Sequence, residues 1–380
     1  LRDPARLALG TVALSLCVAC AGRRPVSVAF IADYNVATGT AFDAIDGEVL
    51  GGLSAIVFSQ DTGGWLALSD ARENSRFYRL DVDLGPTDVF RVTPKGVVYF
   101  RDEDGRPFRS NALDPEGAVL TSWGTLLIST EADLRRQPFE QAKLLEFELD
   151  GTFRRSIALP SRYLVEGRPP FKGQRNNYGF EAMALSPEAS WLFLGEENTL
   201  LQDGPEAGFD AMGLCRILLL RVRGESLSPE REVVYRLGPF GEEPGFGESE
   251  VSGGLVELVS LSNTSLIALE RVFVQELAGA GRNVTRIRLY LLDLGEATDV
   301  SRIDHLDEDA SWRPVSKELL LDLADVVVDL SPEHRSLDNF EGMTLGPRLP
   351  NGERSVVLVS DNNFQTSQRT AFLLLRLKGP

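Results

Sequence analysis

The sequence predicts an all-β fold, a β-propeller of five or six blades closed by pairing of its N- and C-terminal strands. Three observations predict it. Short apolar segments alternate with Gly-, Asp- and Asn-rich turns throughout. One inner-hairpin plan, acidic toward its ends, recurs five times. No stretch has the periodicity of an ordinary helix, and Glu131–Leu144 is the best short helical candidate. A β-sandwich would also use short strands, but it explains the repeated acidic hairpins less well.

The elements follow in order. Val26–Tyr34 reads as a strand, and a second begins near Val49. Leu53–Phe58 and Trp65–Ser69 flank the turn Asp61-Thr62-Gly63-Gly64, with Ser75–Val82 and Asp88–Val92 as outer strands. The second repeat pairs Ala118–Leu120 with Thr125–Ser129; Leu144–Leu149 and Phe153–Leu159 follow around Asp150-Gly151, a hairpin signal. The third spans Asn176–Asn198, with Cys215–Val222 and Glu232–Arg236 outside it. The fourth spans Gly253–Val272 and continues through Ile287–Leu292 and Lys317–Leu323. The fifth opens at Phe340, returns through Ser355–Ser360 and adds Thr370–Leu377. It lacks a fourth strand, which Val26–Tyr34 can supply. A sixth blade has room around Val97–Phe108 or in the interval before Leu337. Residues 26–380 therefore read as one propeller domain.

Arg2 and Arg6 precede the apolar run Leu7–Ala21, shorter than a spanning helix needs. Residues 1–21 read as an export signal. Ala19-Cys20-Ala21 suits cleavage of a secreted protein, whereas Leu16-Cys17-Val18-Ala19-Cys20 suits a lipobox that attaches the protein to a membrane through lipidated Cys20. Both readings place the mature protein in the periplasm, at the cell envelope or outside the cell. Cys215 lies in an apolar strand and reads as a core thiol. The net charge of -17 argues against a nucleic-acid partner and permits a cation or a basic ligand. The expected form is a monomer.

Acids mark the hairpin ends. Glu116 enters one unit and Glu131 leaves it; Glu181 is matched by Glu196 and Glu197, and Glu341 by Asp361. The first unit keeps only Asp70, while the fourth has Leu255 on entering and Glu270-Arg271 on return. An antiparallel hairpin brings its two ends to one sheet edge, and innermost strands surround one axis. The carboxylates should therefore gather at one channel mouth, where they repel unless protonated or neutralised. Ca²⁺ fits an all-oxygen set. Asn and Asp in such positions also suit turns. His305 and His334 fall outside the hairpins. The HExxH, GxSxG and Walker patterns are absent.

Glu116-Gly117, Gly179-Phe180-Glu181 and Leu269-Glu270-Arg271 resemble the phytase-like family, also described as esterase-like activity of phytase. Asp338-Asn339-Phe340-Glu341-Gly342-Met343, Ser360-Asp361-Asn362-Asn363-Phe364 and Gln368 carry the more specific part of the likeness. It covers about Gly51 to Leu377, with departures at Glu181-Ala182, Leu53-Ser54 and Leu255-Val256. The resemblance implies that Glu116, Glu181, Glu341 and Asp361 are functional acids of a phosphoesterase or esterase.

Metal-assisted hydrolysis of a phosphate ester is the leading expectation, with a phosphorylated or ester-containing small molecule as the partner. Glu116, Glu181, Glu341 and Asp361 would hold the metal, Glu131 or Glu196 would serve as general base, and Arg271 would bind phosphate. A noncatalytic ligand- or protein-binding propeller and a Ca²⁺-dependent esterase or lactonase are the rivals.

Overall fold

The computed structural model describes residues 25–36, 49–85, 90–136, 138–241, 243, 246, 248–277, 282–307 and 311–379. The expected export signal and Cys20 lie outside them. Among the described residues, twenty strands form five four-stranded antiparallel sheets.

The first blade contains β2 (Leu53–Phe58), β3 (Trp65–Ser69), β4 (Arg76–Leu84) and β5 (Phe90–Tyr99). The second contains β6 (Pro115–Leu120), β7 (Leu126–Thr130), β8 (Lys143–Phe147) and β9 (Phe153–Ile157). The third contains β10 (Phe180–Leu185), β11 (Trp191–Glu196), β12 (Gly213–Arg223) and β13 (Ser226–Leu237). The fourth contains β14 (Ser249–Ser260), β15 (Ser265–Glu276), β16 (Asn283–Asp293) and β17 (Ser316–Asp322). The fifth joins β18 (Asn339–Arg348), β19 (Arg354–Asp361) and β20 (Thr370–Lys378) to β1 (Ser27–Val36). In that last pair Ser27 lies opposite Lys378 and Val36 opposite Thr370, so the two ends of the chain complete one sheet as expected.

The innermost strands β2, β6, β10, β14 and β18 touch in that order, and β18 meets β2 to close the ring. Apolar residues fill each of the five gaps between blades. In β15, Leu266 and Ala268 face the third blade while Ile267 and Leu269 face the fifth. Both faces are covered, which is why these strands read as continuous apolar runs. Cys215 is fully buried between the third and fourth blades, as the sequence suggests.

Two expectations need correction. The described residues of 131–144 form no helix: Asp133 and Glu140 make an antiparallel bridge instead. Pro138 interrupts the segment, and the Asp133 carboxylate accepts from Arg135 N at 3.0 Å, which favours a turn. No sixth blade exists among the described residues. Val97–Tyr99 completes β5, and the interval before Leu337 contains short 3-10 turns at Leu323–Asp325, Val327–Asp329 and Pro332–His334. Among the described residues, no helix is long and apolar enough to cross a membrane.

Candidate functional site

Each innermost strand carries a register shift near its start. The extra residue is Ser54 in β2, Glu181 in β10, Val256 in β14 and Glu341 in β18; in β6 the shift contains Glu116 and Gly117. A bulge bends the strand and re-aims a side chain. Here three of these positions are glutamates. Close approach also demands a small residue beside them: a Cβ on Gly117 would stand 2.3 Å from Glu181 O.

The partner strands return one further residue to the same mouth. Asp70 N bonds to Gly52 O, Glu131 N to Asp114 O and Glu197 N to Gly179 O, while Arg271 lies opposite Gly254 and Asp361 opposite Asn339. Asp70, Glu131, Glu197, Arg271 and Asp361 therefore occupy equivalent places in the five blades. The preceding residues alternate to the other face. Glu196 consequently points away from the mouth and accepts from Gln174 Nε2 at 2.9 Å. Glu270 likewise accepts from Tyr235 Oη at 2.6 Å and contacts Lys317.

The structure brings together Glu116, Glu131, Glu181, Glu341, Asp361 and Arg271 from the expected set with Asp70 and Glu197, the other acids read at the hairpin ends, and adds Asp114. Glu131 belongs to two compact acidic triads, one with Asp114 and Glu116 and the other with Glu181 and Glu197. In each, the nearest oxygens lie within 4.8 Å of one another. Glu131 Oε1 accepts from Gly179 N at 2.7 Å, tying the second blade to the third. Arg271 donates to Glu197 Oε1 at 2.9 Å and also contacts Glu341. Asn339 Nδ2 donates to the same Glu341 at 2.9 Å. At the rim, Arg72 Nε donates to Asp114 Oδ1 at 2.6 Å.

This crowding alters the acids. Burial and neighbouring carboxylates push Glu116, Glu131, Glu181 and Asp361 well above the ordinary range. Burial and Glu341 push Asp70 up to about 7. Burial also raises Glu197 to about 7, although Arg271 opposes the shift. The Glu341 carboxyl is raised by burial despite Arg271, while the acids around Arg271 hold that guanidinium firmly protonated.

The donor set fits a hard divalent cation. It consists entirely of oxygens. Asp70 Oδ1, Glu131 Oε2 and Glu181 Oε2 are buried atoms without a hydrogen-bond partner among the described residues. Glu131 and Glu181 as whole residues are 3% and 8% exposed, so water does not readily compensate these oxygens.

Below the mouth lies Glu257, which sequence reasoning missed. It stands one residue past the fourth blade's bulge, where the other blades have Ala55, Gly117, Ala182 and Gly342 or their small equivalents in the register. Its carboxylate accepts from Met183 N at 3.0 Å and Leu258 N at 2.9 Å. The backbone of Met343 in β18 also favours its charged form. Glu257 thereby ties β14 to its neighbour β10. Its signal was a lone acid inside the apolar run Leu255–Val259.

Other polar residues near the hairpin ends have local partners. Arg175 donates to Thr199 O at 2.8 Å, Asn176 Oδ1 accepts from Leu134 N at 3.0 Å, and Asp338 accepts from Arg369 at 3.1 Å. His334 is buried against Asp33, whereas His305 is exposed.

Solved structures similar to this chain include a thermostable family-43 glycoside hydrolase, at 8% identity over 91% of this chain and 96% of the other, with a TM-score of 0.43. A luciferin-regenerating enzyme shares 11% identity over 87% and 93% of the chains, with a TM-score of 0.36. A glycosyl hydrolase from Bacteroides ovatus shares 10% over 87% and 86%, with a TM-score of 0.38. No curated protein matches the chain. The sequence profile of the phytase-like family, described as esterase-like activity of phytase, matches residues 48–364 and spans all five innermost hairpins. The chain belongs to the phytase-like family.

Proposed function

We propose that this protein is a divalent-cation-dependent hydrolase of small phosphate esters, with its reaction centre at the acidic mouth. The observation that carries the reading is Glu131. Its buried Oε2 has no hydrogen-bond partner among the described residues, and its carboxylate is common to both acidic triads. Family membership supports an esterase- or phosphoesterase-like hydrolase.

Glu131, Glu181 and Glu197 would hold a cation, with Asp114 and Glu116 on the other side of Glu131. Glu341 and Asp361 complete the negative wall. A bound divalent cation would neutralise phosphate oxygens and stabilise the charge that develops during transfer. Ca²⁺ is the proposed ion because the ligands are carboxylates. Arg72, at the rim, and Arg271, deeper in the mouth, are the cationic groups suited to orient phosphate oxygens. Asp70 is the proposed general base, since its Oδ1 lacks a partner and its carboxyl is pushed up to about 7. Water oxygen would form the new bond to phosphorus as the ester P–O bond breaks. The water proton would pass to Asp70 and then to the departing alkoxide. Export to the periplasm or envelope is part of the same proposal and rests on the apolar segment Leu7–Ala21.

Phosphate release from a panel of phosphomonoesters, measured with EDTA and with restored Ca²⁺, tests the function. Ca²⁺-dependent release that disappears in folded Glu131→Gln supports it. Tight cation binding without release from any ester, or release unaffected by EDTA, sinks it.

A further inference from the structure

We propose that the opposite mouth of the central channel is a second binding site, for a small organic anion whose charged group sits on Arg354. A cavity of about 340 Å³ opens there. It is lined by the far ends of all five innermost strands, including Ile56, Ala118, Met183, Leu258 and Met343. Its volume falls within the range of small-molecule sites. Glu257, hydrogen-bonded to the adjacent innermost strand β10, lies between this cavity and the acidic mouth.

Arg354 is the residue that gives the cavity a chemical preference. It begins β19 at the cavity rim and is half-buried. Its guanidinium has no acidic or hydrogen-bond partner among the described residues. The adjacent Glu353 is engaged by Lys378 at 3.1 Å, and Asp61, the acid on the same rim, makes no ion pair with Arg354. Arg348 lies directly across the hairpin from Arg354. Like charges facing each other across a strand pair are unfavourable, so this rim is locally basic on a strongly acidic chain. Burial and Arg348 accordingly lower the tendency of Arg354 to hold its proton. An entering oxyanion would relieve both costs. Around it, Phe58, Leu120, Leu185 and Leu345 line the same cavity and keep part of their apolar surface uncovered for the ligand body. The matching ligand is therefore a carboxylate or similar oxyanion with a short apolar tail. This placement is independent of the reaction proposed for the acidic mouth.

Calorimetric titration of the intact protein with sodium hexanoate tests the site, with acetate as the tail-less comparison. Thermal melts would establish that each variant is folded. One saturable hexanoate site per chain is expected. Affinity should fall at least about tenfold in Arg354→Gln, through loss of a charge-assisted hydrogen bond. Arg354→Lys should recover part of it. Acetate should bind at least about tenfold more weakly than hexanoate, because it lacks the buried methylenes. Glu197→Gln, at the other mouth, should leave hexanoate binding unchanged. Absence of saturable hexanoate binding, equal affinity in Arg354→Gln, or equal binding of acetate and hexanoate would each overturn the proposal.

Discussion

Arg271 Nη2 lies 2.9 Å from Glu197 Oε1, and the same guanidinium reaches Glu341 in the next blade. One cation of the protein itself thus spans two acids in a place where the equivalent residues of the other blades are all carboxylates. That substitution breaks the fivefold pattern and leaves the remaining acids clustered around Glu131.

Arg271→Gln should separate cation binding from turnover. Loss of the competing positive charge should leave Ca²⁺ affinity equal or higher by calorimetry. Phosphate-ester turnover should fall by about 10²-fold or more if the guanidinium orients phosphate oxygens. Unchanged turnover would assign Arg271 to structure alone.

The cation-free protein should lose stability as pH rises from about 4 through 7. Glu197 and Asp70, both pushed up to about 7, keep protons in the folded state that the unfolded chain has released. Stability is therefore full below the unfolded values and declines as pH passes through the folded ones. Buried Glu197 contributes a loss of about 3 kcal/mol by pH 8. Urea melts in EDTA across this range would measure it. Added Ca²⁺ should flatten the decline and release protons on binding, seen as a buffer-dependent calorimetric heat.

Glu131→Gln and Glu196→Gln should behave differently although both residues are buried. The first should weaken Ca²⁺ binding at least about tenfold, because it removes the carboxylate common to both triads. The second should leave Ca²⁺ affinity unchanged, since Glu196 faces Gln174 rather than the mouth. Equal losses in the two variants would contradict the assignment of faces.

Gly117→Ala should destabilise the fold by about 1–3 kcal/mol, because the added methyl meets Glu181 O at 2.3 Å and overpacks the contact between blades. Gly96→Ala is the matched control, as nothing lies within 4 Å of its Cβ position. Chemical denaturation of the two variants would compare them.

The fold was legible because each blade repeats the same apolar spacing and turns. Leu53–Phe58 and Trp65–Ser69 have the same limits in sequence and structure. The terminal closure was legible from the fifth unit's missing strand. The extra residue at each bulge was not, because pattern alone does not reveal where a ladder slips. This is why Leu255 looked like the fourth blade's entering position, whereas the register puts Val256 at the bulge. Alternation explains the difference between adjacent acids: Glu197 reaches the mouth and Glu196 turns into the space beside Gln174. Asp114 became part of the site only when neighbouring blades were assembled. The short helical candidate over 131–144 is no helix among the described residues, because Pro138 and the Asp133 turn outweigh the favourable residues around them.

The pairing of β1 with β20 gives the ring a topological freedom. Ser27 and Lys378 already lie side by side, so a short linker could join them without crossing the core. New ends could then be opened at the exposed Thr62-Gly63 step of the β2–β3 turn, leaving all five sheets intact. In such a circular permutant the fifth blade would become continuous and the first would be assembled from both ends of the chain. The acidic mouth would survive because its geometry depends on the order of blades around the axis, and that order has no obligatory beginning.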